Sequence, residues 1–359
     1  MANIRVMIVE DSPVVQSLLK EILESDDQIL VTSVFCSAEE ALEFLESDQI
    51  ERSKKPDLIT LDIQLAKMDG LEFTNHVMRE FPIPIVVVSA VSEKSSVVKA
   101  FDLLKAGALA AIEKPVGLGH EDYQRLKSQL ISTVKLMAEI KLVTRRDLKD
   151  LTKSKTKPSG QKSRNGAEHL VVAVGASTGG PTAIQQILKP LPEDFPVPIV
   201  IAQHIAEGFV DGFVSWLRNT TGYDVEVAAN NQKLAAGKAY VCPDGYQTCV
   251  TAAGSLQVSN RQYFNGVRPS VSFLFDSVAK TFGKRSIGIL LSGMGKDGAA
   301  ELKLIKEKGG ITVAQDKKTS IVHGMPGEAI RLGAADHIMN AESISRLLLE
   351  LTTTKRRTL

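Results

Sequence analysis

The residue in this chain whose setting first suggests chemistry is Ser177, in the run Val171–Pro181, V-V-A-V-G-A-S-T-G-G-P. Val171–Val174 reads as a short buried strand, and Pro181 suits the first turn of a helix over Thr182–Leu188. A glycine-rich turn between the two lifts the serine clear of the sheet, with Gly175, Gly179 and Gly180 allowing close approach. Ser177 is therefore a candidate nucleophile beside backbone N–H groups able to stabilise an oxyanion. The competing reading is a turn that binds phosphate or only redirects the chain.

A nucleophilic serine needs a base, and the C-terminal half offers His169, His204, His323 and His337. His204 follows the apolar run P-I-V-I-A through Gln203, which places it at a strand end on the same sheet edge as Ser177. An acid to orient the imidazole is available at Asp297, in L-L-S-G-M-G-K-D-G after a strand over Ser286–Leu291, with Asp316 in V-A-Q-D as the competing choice. Gly293, Gly295 and Gly298 permit tight turns there, and the N–H of Met294 is the oxyanion candidate.

A second constellation lies at strand ends in the N-terminal half. Glu10 and Asp11 follow I-R-V-M-I-V, Asp62 follows L-I-T-L, Ser89 follows I-V-V-V, and Lys114 follows A-A-I-E. In an open parallel sheet, ligands gather at these carboxyl ends. Carboxylates at Glu10, Asp11 and Asp62 suit Mg²⁺, which screens a phosphoryl group arriving at Asp62, while Lys114 and Ser89 recognise its oxygens.

The elements that must hold these residues alternate regularly. Strands are expected near Arg5–Val9, Leu30–Phe35, Leu58–Leu61, Ile85–Val88 and Ala110–Ile112, with helices between them. A closing helix over Glu121–Ile140 carries Leu126, Leu130, Val134 and Met137 on one face. The second half repeats the alternation, with strands near Leu170–Val174, Pro198–Ala202, Ser286–Leu291 and Ile311–Ala314. Between Asp224 and Ser259, shorter runs and turn signals such as Pro243-Asp244-Gly245 predict a β-rich insertion or an edge hairpin. The expected class is α/β, with two doubly wound parallel-sheet domains: a flavodoxin-like unit over 1–140 and a Rossmann-like unit over 169–354. They are joined by a basic linker over 141–168 and followed by a basic tail over 355–359.

With 359 residues, 43% of them hydrophobic, and a net charge of +1, the chain has ordinary cores and no overall electrostatic reason to bind nucleic acid or an anionic membrane. No apolar run approaches a bilayer span and no secretory leader is seen, so membrane insertion is not expected and a cytoplasmic location fits. Cys36, Cys242 and Cys249 form no metal-like spacing and are expected to be buried, reduced thiols.

The residues Glu10-Asp11, Asp62, Met68-Asp69-Gly70, Ser89 and Lys114-Pro115 resemble those of a response-regulator receiver domain. That resemblance implies a phosphoacceptor at Asp62, Mg²⁺ held by Glu10, Asp11, Asp62 and a backbone carbonyl, and a cis peptide before Pro115. Leu65-Ala66 replaces the frequent Met-Pro, and Ala111 stands where an aromatic switch residue is usual. The motifs G-A-S-T-G-G, Q-H, N-G-V-R-P-S, G-M-G-K-D-G, V-A-Q-D-K-K-T-S and G-M-P resemble the chemotaxis protein-glutamate methylesterases, in their order. This second resemblance implies that Ser177 attacks the γ-methyl ester of a glutamyl residue on a chemoreceptor, with His204 as base and Asp297 orienting it. No cofactor is implied for the hydrolysis, glutamine deamidation is a related activity, and the implied partners are methylated chemoreceptors and a histidine kinase. The substrate side departs from the family at Ile205-Ala206-Glu207, Val267, Ser272, Gln247 and Gly327. Those departures keep open a different class of function, a non-catalytic adaptor docking on a kinase or receptor array.

Overall fold

The computed structural model describes residues 3–47, 55–65, 68–89, 94–117, 119–140, 171–260 and 267–353. The linker expected over 141–168, the basic tail over 355–359, His169, Ala66 and the Asn265-Gly266 pair lie outside the described residues. The chain divides into two compact units, Met1–Lys162 and Ser163–Leu359.

The first unit contains β1 (Ile4–Val9), α1 (Pro13–Glu24), β2 (Ile29–Phe35), α2 (Ala38–Glu46), β3 (Leu58–Leu61), α3 (Gly70–Glu80), β4 (Ile85–Ser89), α4 (Lys94–Ala106), β5 (Ala110–Glu113) and α5 (Tyr123–Ala138). Its five strands are parallel in the order β2-β1-β3-β4-β5, the doubly wound order whose switch point lies between β1 and β3. α1 packs with α5 on one face, and α2, α3 and α4 pack in series on the other. The inner strands β3 and β4 are buried along their whole length and mostly apolar because both faces are covered. Leu126, Leu130, Val134 and Met137 of α5 are all buried, as their spacing predicts.

The second unit contains β6 (Val171–Ala176), α6 (Gly180–Leu188), β7 (Ile199–Gln203), α7 (Val210–Thr221), β8 (Asp224–Val227), β9 (Lys238–Val241), β10 (Gln247–Val250) and β11 (Leu256–Ser259). It continues through α8 (Val271–Phe282), β12 (Ser286–Leu290), α9 (Ala299–Glu307), β13 (Ile311–Gln315), α10 (Met325–Arg331), β14 (His337–Met339) and α11 (Ala341–Thr353). Seven strands form one parallel sheet in the order β14-β13-β12-β6-β7-β9-β8. Alternate residues of β6 serve opposite faces. Val171 and Ala173 join Leu274, Phe275 and Val278 of α8, whereas Val172 and Val174 line a small apolar space with Ile184, Ile187 and Leu348.

The region expected as a β-rich insertion turns out to be divided. β10 and β11 form an antiparallel hairpin, while β8 and β9 extend the main sheet. Parallel neighbours normally need a helical crossover. Here the connection between β8 and β9 pairs instead with the hairpin, Asn231 N–H donating to Leu256 C=O at 2.8 Å and Leu234 N–H to Gly254 C=O at 2.9 Å, so its backbone groups are satisfied without a helix.

Candidate active site and phosphoacceptor site

Strand order reverses in the second sheet between β6 and β12, with successive strands added outward on either side, and that crevice is where a doubly wound sheet places its ligand. Ser177 follows β6, His204 follows β7, and Asp297 lies in the loop after β12. β6 and β7 are paired in register up to Ala176 and Gln203, so Ser177 and His204 leave the sheet side by side. The last ladder bond runs from His204 N–H to Ala176 C=O at 2.9 Å, and Ser177 N–H donates to Ser292 C=O at 3.0 Å across the switch point. Gly179 starts α6 in the left-handed conformation, φ 80°, which lets the chain turn from strand to helix directly beneath the serine.

His204 Nε2 lies 2.9 Å from Asp297 Oδ2. Asp297 is only 7% exposed, and its carboxylate sits at the N-terminus of α8. It accepts from Ser270 Oγ at 2.9 Å, Val271 N–H at 2.7 Å and Ser272 N–H at 3.2 Å. Burial alone would raise this carboxyl, but His204, Ser272 and the Val271 N–H outweigh it and hold the pKa down at about 2. An anion at the open end of a helix, with three donors, stays ionised and keeps the imidazole fixed. With Nε2 held by Asp297, Nδ1 is the ring nitrogen that remains to act on Ser177.

Ser177 is half-buried, and its hydroxyl has no hydrogen-bond partner among the described residues. The Met294 N–H likewise donates to no described residue, while its side chain is 52% exposed at the rim. Gly293 packs against the nucleophile so closely that a Cβ there would stand 2.8 Å from Ser177 Cβ. Asp316, the competing acid, is occupied elsewhere: its Oδ1 accepts from Thr319 N–H at 2.8 Å and Thr319 Oγ1 at 2.9 Å. His323 pairs through its backbone with Gly293 and bonds Ser320, not Asp297, and His337 lies in β14 at the edge of the sheet.

Three polar groups that support this arrangement were not singled out by motif spacing. Ser270 is both the N-cap of α8 and a donor to Asp297. Gln247 brackets the same loop, donating to Val267 C=O at 3.1 Å and accepting from Ser270 N–H at 2.9 Å. Ser292 Oγ donates to Thr178 C=O at 2.7 Å. A serine directly before the apolar helical pattern that starts at Val271 is the signal that could have marked Ser270 as a cap.

In the first unit, Glu10, Asp11 and Asp62 bring carboxylate oxygens within 4.8 Å of one another at the switch point of the sheet. Lys114 Nζ reaches Asp62 Oδ2 at 2.8 Å and Glu10 Oε2 at 2.9 Å. Burial pushes the Glu10 carboxyl up, with the Asp62 charge adding and Lys114 opposing. Burial would lower the Lys114 ammonium, but its bonds to Asp62 and Glu10 hold it above its ordinary value. Three carboxylates whose oxygens lie this close together offer a set of hard ligands that fits a divalent cation such as Mg²⁺. Ser89 is buried at the end of β4, where its carbonyl accepts from Lys114 N–H at 2.8 Å. The cis peptide expected before Pro115 is not formed; among the described residues the cis bond is Arg268–Pro269. Of the cysteines, Cys242 is buried but Cys36 is exposed, against expectation, because it follows the outer end of edge strand β2.

Residues 6–121 match the response regulator receiver domain family, and residues 172–348 match the CheB methylesterase family. The chain is 46% identical over 350 residues to a protein named protein-glutamate methylesterase/protein-glutamine glutaminase 1 of Syntrophus aciditrophicus, covering 97% of this chain and 98% of that protein. A protein named protein-glutamate methylesterase/protein-glutamine glutaminase in Nitrosospira multiformis is 43% identical, with 97% of each chain covered. Among solved structures, the CheB methylesterase catalytic domain of Thermotoga maritima is similar at a TM-score of 0.50 and 34% identity, covering 51% of this chain and 99% of that one. With nearly its whole length aligned to receiver-bearing esterases, the chain belongs to the CheB protein-glutamate methylesterase family.

Proposed function

We propose that this chain hydrolyses glutamyl γ-methyl esters on chemoreceptors, and deamidates receptor glutamines, under the control of phosphorylation at Asp62. The observation that carries the reading is the His204–Asp297 pair at 2.9 Å, on strand ends adjacent to Ser177. His204 Nδ1 takes the Ser177 proton as Oγ attacks the ester carbonyl, and the Met294 N–H is the proposed donor to the oxyanion. The same proton passes to the methoxy oxygen as methanol leaves. Water then repeats the sequence against the acyl-serine, releasing a receptor carboxylate and restoring the hydroxyl. An amide substrate differs only in releasing ammonia.

In the receiver unit, Glu10, Asp11 and Asp62 would hold Mg²⁺, which neutralises charge on an incoming phosphoryl group when bound. Asp62 is the acceptor, and Lys114 and Ser89 recognise the phosphoryl oxygens. A histidine kinase of a chemotaxis-type array is the proposed donor, and the cytoplasm the proposed site of action. No helix among the described residues is long and apolar enough to cross a membrane.

The test is methanol release from methylated receptor membranes by the full chain, with and without a small phosphodonor and Mg²⁺. Release that requires Ser177 and rises with the phosphodonor only when Asp62 is present is the expected result. Release no higher than that of Ser177→Ala would overturn the reading in favour of a non-catalytic adaptor.

A further inference from the structure

Beyond the triad, one buried side chain touches the backbone of both the nucleophile and the base. Gln203, the last residue of β7, is 2% exposed. Its Nε2 donates to Ser177 C=O at 2.9 Å and to His204 C=O at 2.8 Å. Its Oε1 is buried and accepts no hydrogen bond. That amide occupies the first turn of α6: a Cβ added to Gly180 would overlap Gln203 Oε1 and stand 2.6 Å from Ala176 Cβ.

We infer that Gln203 is a positioning residue for the hydrolysis, fixing the spacing between Ser177 and His204, and that Gly180 is glycine to admit its amide; this rests on the function proposed above. β6 and β7 lose their ladder after the bond from His204 N–H to Ala176 C=O. Beyond it the two chains diverge, one into α6 and the other into the loop before α7. The two hydrogens of one carboxamide reach both carbonyls at the point of divergence. Of the standard side chains, few offer two donors on a neutral, planar group of this length: asparagine is one methylene shorter, and lysine or arginine would bury a charge. The Ser177 carbonyl has a second donor, Gly180 N–H at 2.8 Å, so loss of Gln203 leaves the strand-to-helix turn closed and frees chiefly the His204 side. Oε1 accepts no hydrogen bond while Nε2 makes two, so the carboxamide is held in place by what it donates; an apolar residue of the same volume would spare the Oε1 cost but leave the His204 carbonyl without this donor. The observed arrangement is what selection for a fixed nucleophile-to-base distance retains.

The experiment compares full-length wild type with Gln203→Met, Gln203→Glu and Gly180→Ala. Met keeps the volume without donors; Glu keeps the shape but presents an acceptor to both carbonyls. Three quantities are read: methanol release from methylated receptor membranes, thermal midpoint, and the NMR signal of the ring proton that His204 shares with Asp297. The expected result for Gln203→Met is a fall in kcat of at least tenfold with KM within twofold, an unshifted thermal midpoint, and a broadened ring proton. Gly180→Ala, whose Cβ would meet both Gln203 Oε1 and Ala176 Cβ, should lower kcat as well. A folded Gln203→Met with wild-type kcat and an unaltered ring proton overturns the inference. If wild type itself releases no Ser177-dependent methanol, the proposed function fails separately, and the ring proton alone decides: unchanged in Gln203→Met and Gln203→Glu, it overturns the positioning role; broadened in both, it supports it.

Discussion

Asp297 holds Nε2 of His204, not Nδ1, at 2.9 Å. This reverses the ring polarity of the serine-protease arrangement, in which the acid holds Nδ1 and Nε2 faces the serine. The tautomer with its proton on Nε2 leaves a lone pair on Nδ1 to accept from Ser177. Asp297→Asn keeps the shape but offers an amide that can stabilise the opposite tautomer and cannot compensate the imidazolium. Methanol release should fall by roughly 10³- to 10⁴-fold with KM little changed, measured as initial rates on methylated receptor membranes. A loss below tenfold would show that the pair is structural.

The same carboxylate links stability to pH. Its folded pKa of about 2 lies below the ordinary 3.8. A carboxyl depressed on folding contributes its stabilisation in full above the unfolded value and loses it as pH falls through the folded one. The difference corresponds to about 2 kcal/mol. Urea unfolding of the full chain should therefore show stability falling between about pH 4 and pH 2, with a shallower slope for Asp297→Asn than for wild type. Identical slopes would mean that the α8 N-terminus does not hold the anion in solution.

Much of this site was legible because its parts are local. A serine between an apolar run and a proline-started helix, a histidine directly after a strand, and an acid among glycines each announce a strand end. The apolar stripe of α5 was readable for the same reason. What local pattern does not carry is the order of strands: nothing between Asp224 and Val241 says that β9 inserts between β7 and β8, since that depends on the connection pairing with the hairpin. Nor does the sequence distinguish Asp297 from Asp316 by spacing alone. The choice follows from the N–H groups of α8, which surround one and not the other. Gln203 looked like a spacer because its role requires two carbonyls from two different strands.

Gly293 supplies a steric test of the nucleophile's surroundings. A Cβ there would press on Ser177 Cβ at 2.8 Å and on the Met325 sulfur. The thioether can move, but the serine Cβ is fixed by its own backbone bond to Ser292 C=O. Gly293→Ala should therefore displace the loop that presents Met294 N–H and lower kcat by roughly 10²-fold, the scale of a lost oxyanion donor. Because Met325 belongs to the core, part of the cost should fall on stability, so the rates are compared well below the variant's own thermal midpoint. A wild-type rate in the folded variant would remove Met294 as the oxyanion donor.

Lys114 occupies the same carboxylates that would bind Mg²⁺, reaching Asp62 Oδ2 at 2.8 Å and Glu10 Oε2 at 2.9 Å. An ammonium at that distance competes with the cation electrostatically, although it is also the group expected to grip the phosphoryl oxygens. Lys114→Met separates the two roles. Removing one positive charge about 4 Å from a divalent cation is worth about 2 kcal/mol even at full solvent screening. Mg²⁺ should consequently bind roughly thirtyfold more tightly. Loss of the ammonium also removes what opposes the upward push on Glu10, so the gain should shrink as pH falls and Glu10 takes up its proton. The stimulation of methanol release by phosphodonor should meanwhile be lost. Mg²⁺ titration of the full chain at pH 8 and pH 6 reads the first effect and the esterase assay the second; weaker Mg²⁺ binding at pH 8 would show that Lys114 organises the acidic cluster instead of competing for it.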